Sequence, residues 1–143
     1  MPELRVLAPD DSERLLRRGT FGRVGMGTPH GPEVIPVNYA VVDETIVVRT
    51  SPGGVLARYA DGAPLVFEVD LVDHEYWNGW SVVARGVGEV VKDPQGAGRP
   101  RIRPWADGDR SCELRLTWTE LTGRQVGAAW DLEDLLRWRR SAR

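Results

Sequence analysis

The stretch from Val34 to Tyr59 restricts the folds open to this chain more than any other. Val34-Ile35-Pro36-Val37-Asn38-Tyr39-Ala40-Val41-Val42 is dominated by β-branched and apolar side chains and predicts a strand. Asp43-Glu44 supplies a tight turn, and Thr45 to Thr50 predicts the returning strand. Ser51-Pro52-Gly53-Gly54 then leads into Val55-Leu56-Ala57-Arg58-Tyr59, a short predicted helix. Two readings suit this spacing. One is an ordinary hairpin followed by a Ser-Pro helix start. The other is an anion site, in which Thr50 and Ser51 supply hydroxyls, the glycines open the backbone, and Arg49 supplies a fork that fits a phosphate.

The remaining chain extends the β pattern. Asp10 to Glu13 provide an N-cap and first-turn acids for a helix over about 10–19, closed by Arg17, Arg18 and Gly19. Thr20 to Thr28 predicts a strand with glycines at 22, 25 and 27, and Pro29 to Pro32 a turn. Pro64 to Asp70 and Gly79 to Val91 predict two more strands, joined through Val72 to Asn78. Asp93 to Asp109, with three prolines and three glycines, predicts a long loop. Cys112 to Thr119 alternates, with Leu114, Leu116 and Trp118 on one face, and Leu121 to Val126 continues it past a bend. Asp131 to Trp138 predicts a terminal helix within about 130–140. Five or six strands with few helices and frequent turns indicate one mainly β domain over 1–143, a barrel over about 20–126 with short peripheral helices. A barrel that small fills its lumen with side chains, so a ligand must bind outside it.

Composition excludes several function classes. A net charge of −2 gives no electrostatic case for nucleic acid or an anionic membrane. No apolar run approaches the ~20 residues that cross a bilayer, and Met1-Pro2-Glu3-Leu4 lacks a signal-peptide pattern, so a cytoplasmic protein is expected. The single Cys112 cannot form an intrachain disulfide. One cysteine and two separate histidines, His30 and His74, make no zinc motif. The arginine run Arg99 to Arg103 suits a solvated loop or an anionic ligand better than a DNA groove in a mildly acidic chain. Trp80 and Trp105 stand out as functional among the six tryptophans, the others suiting core or dimer contacts.

Pro36-Val37-Asn38-Tyr39, Arg49-Thr50, Phe67-Glu68-Val69-Asp70 and Gly79-Trp80-Ser81-Val82-Val83 with Arg85-Gly86 occur in an order that resembles the pyridoxamine 5'-phosphate oxidase-like flavin-binding split barrels. The likeness covers roughly Leu15 to Val126 and is greatest to small actinobacterial members and the nitroimidazole-resistance branch. It implies a homodimer with FMN in the groove between two barrels, acting as an oxidoreductase on a small organic molecule. Pyridoxamine phosphate is not expected as that molecule, because no second phosphate pocket is legible. The resemblance assigns the flavin ring and ribityl chain to Pro36, Val37, Asn38 and Tyr39, with side-chain reach from Asn38 and Tyr39. It assigns the phosphate to Arg49, Thr50, Ser51, Gly54, Val55 and Leu56. Trp80 and Ser81 match a strand position facing the ring, and Trp105, in a late block with Gly108-Asp109-Arg110, matches a residue reaching the other subunit's flavin. One departure is chemical: many relatives carry a lysine where this chain has Val55, and its only lysine is Lys92. Arg49 or Arg58 is the expected substitute. Alternatives are a deazaflavin coenzyme or haem, a non-catalytic store, or a dimer without cofactor.

Overall fold

The computed structural model describes residues 3–96, 99–102 and 108–127. Trp105 and the helix expected over about 130–140 lie outside them. The elements are β1 (Leu4–Val6), α1 (Pro9–Arg18), β2 (Phe21–Thr28), β3 (Gly31–Val42), β4 (Thr45–Thr50), α2 (Val55–Tyr59), β5 (Pro64–Asp73), β6 (Asn78–Lys92) and β7 (Cys112–Val126).

All strands join one antiparallel sheet in the order β1-β7-β4-β3-β2-β5-β6, and β6 pairs back onto β7. That last ladder closes β2 to β7 into a six-stranded split barrel, with β1 added on the outer edge of β7. Alternation decides what fills it. Val24 and Met26, Val37 and Tyr39, Leu65, Phe67 and Val69, and Val82 and Ala84 point inward and are buried. α1 plugs one end with Leu15 and Leu16, both essentially inaccessible. Fully burying such side chains contributes roughly 1.5–3 kcal/mol each, so the barrel interior, rather than a ligand cavity, carries the stability.

The details depart from the sequence expectation in instructive ways. α1 is capped by Ala8 with Pro9 in its first turn, not by Asp10; Asp10 and Asp11 remain as first-turn acids against the helix dipole. Gly19 ends α1 in an extended conformation, so left-handed freedom is not its purpose. A Cβ there would overlap the Tyr39 hydroxyl, and the glycine is a matter of space. β7 is continuous rather than bent, and the irregularity expected after Thr119 is a register shift against β6 at Arg85/Gly86.

Candidate functional site

Two of the cavities on the barrel's outer surface hold residues singled out in the sequence. The first, about 390 Å³, lies where β3, the end of β4 and α2 meet. Its lining includes Pro36, Val37, Asn38, Arg49, Thr50 and Leu56, residues singled out in the sequence, and adds Phe21, Ile35, Ile102 and Arg110. Proline and asparagine at 36 and 38 take the outward positions of β3 because Val37 and Tyr39 take the inward ones. Tyr39 therefore corrects the expectation of side-chain reach. Its hydroxyl donates to the Leu16 carbonyl at 2.5 Å, its ring meets Phe67 edge-on at 4.7 Å, and its backbone N–H donates to Thr20.

Ser51 sits on the rim, where its hydroxyl accepts from Arg110 Nη1 at 3.2 Å. Gly54 precedes α2 and its N–H donates to the Ser51 carbonyl at 3.0 Å, closing the turn. Val55 is exposed at the start of a helix only five residues long.

The electrostatics of this cavity are one-sided. Arg49 donates to the Pro100 carbonyl at 3.2 Å, and Arg110 donates to the neutral Ser51 hydroxyl. Among the described residues no carboxylate lines the cavity and neither guanidinium forms an ion pair. Glu113 stands opposite Arg49 across the β4–β7 ladder, yet its two oxygens are taken by Arg99 at 3.2 Å and Arg115 at 3.0 Å. Arg110 Nε is buried with no partner among the described residues. Leaving a buried donor unpaired costs about 1–3 kcal/mol, and an anion would remove that cost. Arg58 does not take part; its guanidinium lies over the Tyr59 ring at 5.4 Å. Arg110, a residue the sequence reading named only as part of a late block, adds a second cation to this cavity beside Arg49.

The second cavity, about 590 Å³, lies at the turn between β5 and β6 and the end of β7. It holds Trp80 and Ser81, so the expected site residues fall into two groups. Trp80 points inward and is buried, and Ser81 points outward. The groups are linked along the outer face by sheet register: Phe21 pairs with Asn38, Asp70 with Ser81, and Ser81 with Arg124. Arg23 spans the gap, bonding Glu68 at 3.0 Å and Asp70 at 3.5 Å. Partial burial pushes the Glu68 carboxyl above the usual range, the neighbouring Asp70 adds to this, and Arg23 opposes it. Asp70's charge raises Arg23 in turn. Among the described residues no three His, Cys, Asp or Glu side chains gather as metal ligands, and no helix is long and apolar enough to cross a membrane.

A closed six-stranded barrel with a cationic cavity on its outer wall defines a small split barrel. Residues 8–125 match the family model described as pyridoxamine 5'-phosphate oxidase, and the chain belongs to that family. An uncharacterized protein of Mycobacterium tuberculosis is 33% identical over 112 residues, 73% of this chain and 74% of that protein. Among solved structures, an FAD-binding protein from Mycobacterium smegmatis superposes with a TM-score of 0.67 at 27% identity, covering 86% of this chain and 98% of the other. A proposed pyridoxamine 5'-phosphate oxidase from Corynebacterium glutamicum gives 0.72 at 25% identity, covering 92% and 98%.

Proposed function

We propose that this chain is an FMN-binding oxidoreductase that acts on a small organic molecule as a homodimer. The observation that carries the proposal is the pair Arg49 and Arg110, two guanidiniums lining one cavity with no carboxylate among its described lining residues. A terminal phosphate concentrates nearly two negative charges at one point and accepts several hydrogen bonds, which suits that pair and the Thr50 and Ser51 hydroxyls. FAD spreads a similar charge over two bridging groups and matches one small cavity less well. From the phosphate, a flavin extends over Pro36 and Asn38 and along the outer face toward Asp70 and Ser81. When bound, it supplies hydride or electron transfer. The chain's own residues hold the phosphate, set the plane of the ring and place Arg23, Glu68 and Asp70 beside it.

A ring lying on this face has protein beneath it and solvent above, so a second copy of the chain is proposed to cover it. That arrangement supports a protein that excludes water from the reacting face. Titration of apo-protein with FMN, FAD and riboflavin, followed by flavin fluorescence and absorbance, tests the reading, with sedimentation reporting the oligomer. FMN bound most tightly, to a dimer, and bleached by a reduced nicotinamide donor is the expected result. A protein that stays colourless at saturating FMN overturns it. A Soret band on haem titration would favour a haem binder, and tight binding of a deazaflavin alone would change the coenzyme. A yellow protein that no donor bleaches would be a store rather than an enzyme.

A further inference from the structure

Beside the cationic cavity, the outer face of β4 and β7 carries a cross-strand ion pair that is not made. Arg49 and Glu113 are register partners on this ladder, and they alternate with Val48 and Leu114, which face the core. Side chains directly opposite on one face of a ladder have Cβ atoms about 4.5–5.5 Å apart, and opposite charges there attract. Glu113 is only 3% exposed. A buried carboxylate is costly unless a cation meets it. Register and charge together would give Glu113 to Arg49.

The segment at residues 99–102 engages both members instead. Arg99 Nη2 meets Glu113 Oε2 at 3.2 Å, while the next carbonyl, that of Pro100, accepts from Arg49 Nη2 at 3.2 Å. Arg115 Nε holds the other carboxylate oxygen, Oε1, at 3.0 Å. Ile102, buried at the cavity wall, fastens the same segment. Two adjacent residues thus give the carboxylate a substitute cation and the arginine a neutral acceptor. A carbonyl leaves the charge of Arg49 in place, whereas a carboxylate would cancel it.

We infer that Arg99 is a positioning residue for the anion cavity: by occupying Glu113 Oε2 it keeps Arg49 from pairing with its cross-strand neighbour and leaves that guanidinium for a phosphate. Arg99 does not itself line the cavity. The inference rests on the reading of that cavity as a phosphate seat and adds what keeps the seat cationic. Without Arg99, Oε2 is a buried carboxylate oxygen stripped of its cation, and Arg49 stands directly across the ladder.

Fluorescence titration of the full chain with FMN and with riboflavin tests this. Arg99→Ala should weaken FMN binding at least tenfold and leave riboflavin binding as in the parent. Adding Glu113→Gln removes the charge that competes for Arg49, and should restore FMN affinity to within about threefold of the parent. Unchanged FMN affinity in Arg99→Ala, or a loss that Glu113→Gln does not reverse, would overturn the inference. Thermal melts without ligand separate it from the flavin reading. In the parent background Arg49→Ala and Glu113→Gln should shift the midpoint additively; in the Arg99→Ala background they should be coupled by about 2–4 °C, the mark of a new ion pair. Coupling in the parent, or none in Arg99→Ala, overturns the inference whatever the protein binds. FMN held no more tightly than riboflavin by the parent would instead overturn the phosphate reading, and with it the service of Arg99 to an anion.

Discussion

Arg110→Ala is the substitution that most directly separates a phosphate cavity from a chance gathering of arginines. The side chain donates to Ser51 Oγ and lines the cavity opposite Arg49. A hydrogen bond to a charged group contributes about 1.5–3 kcal/mol. Loss of one such contact should weaken FMN binding by roughly 10- to 150-fold, at 1.4 kcal/mol per decade. Arg49→Ala should cost about as much on the same basis. Riboflavin, which has the ring and ribityl chain but no phosphate, should bind both variants as it binds the parent. In the double variant FMN and riboflavin should converge, since neither of the two lining arginines remains to tell them apart. The fold should tolerate Arg110→Ala, because Arg110 Nε is already buried without a partner among the described residues, and the half-exposed Ser51 hydroxyl that loses its donor can bond water instead. Quenching of flavin fluorescence at fixed ionic strength measures the affinity of each protein for both flavins, and a thermal melt checks the fold. Parallel losses of FMN and riboflavin, or unchanged FMN affinity in a folded Arg110→Ala, would refute the reasoning.

Other substitutions test the barrel itself. Tyr39→Phe removes the buried hydroxyl that donates to Leu16 while keeping the ring against Phe67; urea unfolding should show a loss of about 1–2 kcal/mol, and no loss would mean that the bond contributes nothing net. Gly88→Ala would press a Cβ into the Ala60 carbonyl, where β6 passes under the exit of α2. Backbone cannot step aside as a side chain can, so a loss of about 1–3 kcal/mol or more is expected, with an unchanged denaturation midpoint as the contrary result. Glu68→Gln should alter the pH dependence of stability. The folded state raises this carboxyl, so it holds its proton where the unfolded chain has lost it, and the stabilisation present at low pH is lost as pH rises through the folded value. The glutamine variant should therefore gain on the parent as pH rises from the ordinary carboxylate range, and denaturation curves showing the opposite slope would reject this assignment.

Much of the scaffold was legible because strands announce themselves locally. The β-branched run at 34–42, the turn at Asp43-Glu44 and the alternation through Leu114 and Leu116 each needed only neighbouring residues to be read. β1 was not foreseen, because Leu4 to Val6 is short and exposed and becomes a strand only by pairing with β7. Pro36, Asn38, Arg49 and Thr50 were found because they sit close together in one hairpin. Tyr39 was assigned to the cavity because the block reads as a unit, whereas strand alternation turns its side chain the other way. Arg110 was passed over because nothing near it in the chain marks it as the partner of Ser51.

By itself, the sequence determined that this chain forms a small mainly β barrel with no room inside for a ligand, since period-two patterning and turn chemistry are local properties. Only the tertiary structure decided which charges meet. Closure of β7 onto both β4 and β6 sets the approach to that strand so that Arg110 reaches Ser51, while Arg99 and Arg115 occupy Glu113 and leave Arg49 without a counter-charge among the described residues. Those pairings depend on long-range register, and a one-residue slip would turn every side chain of the strand to its other face.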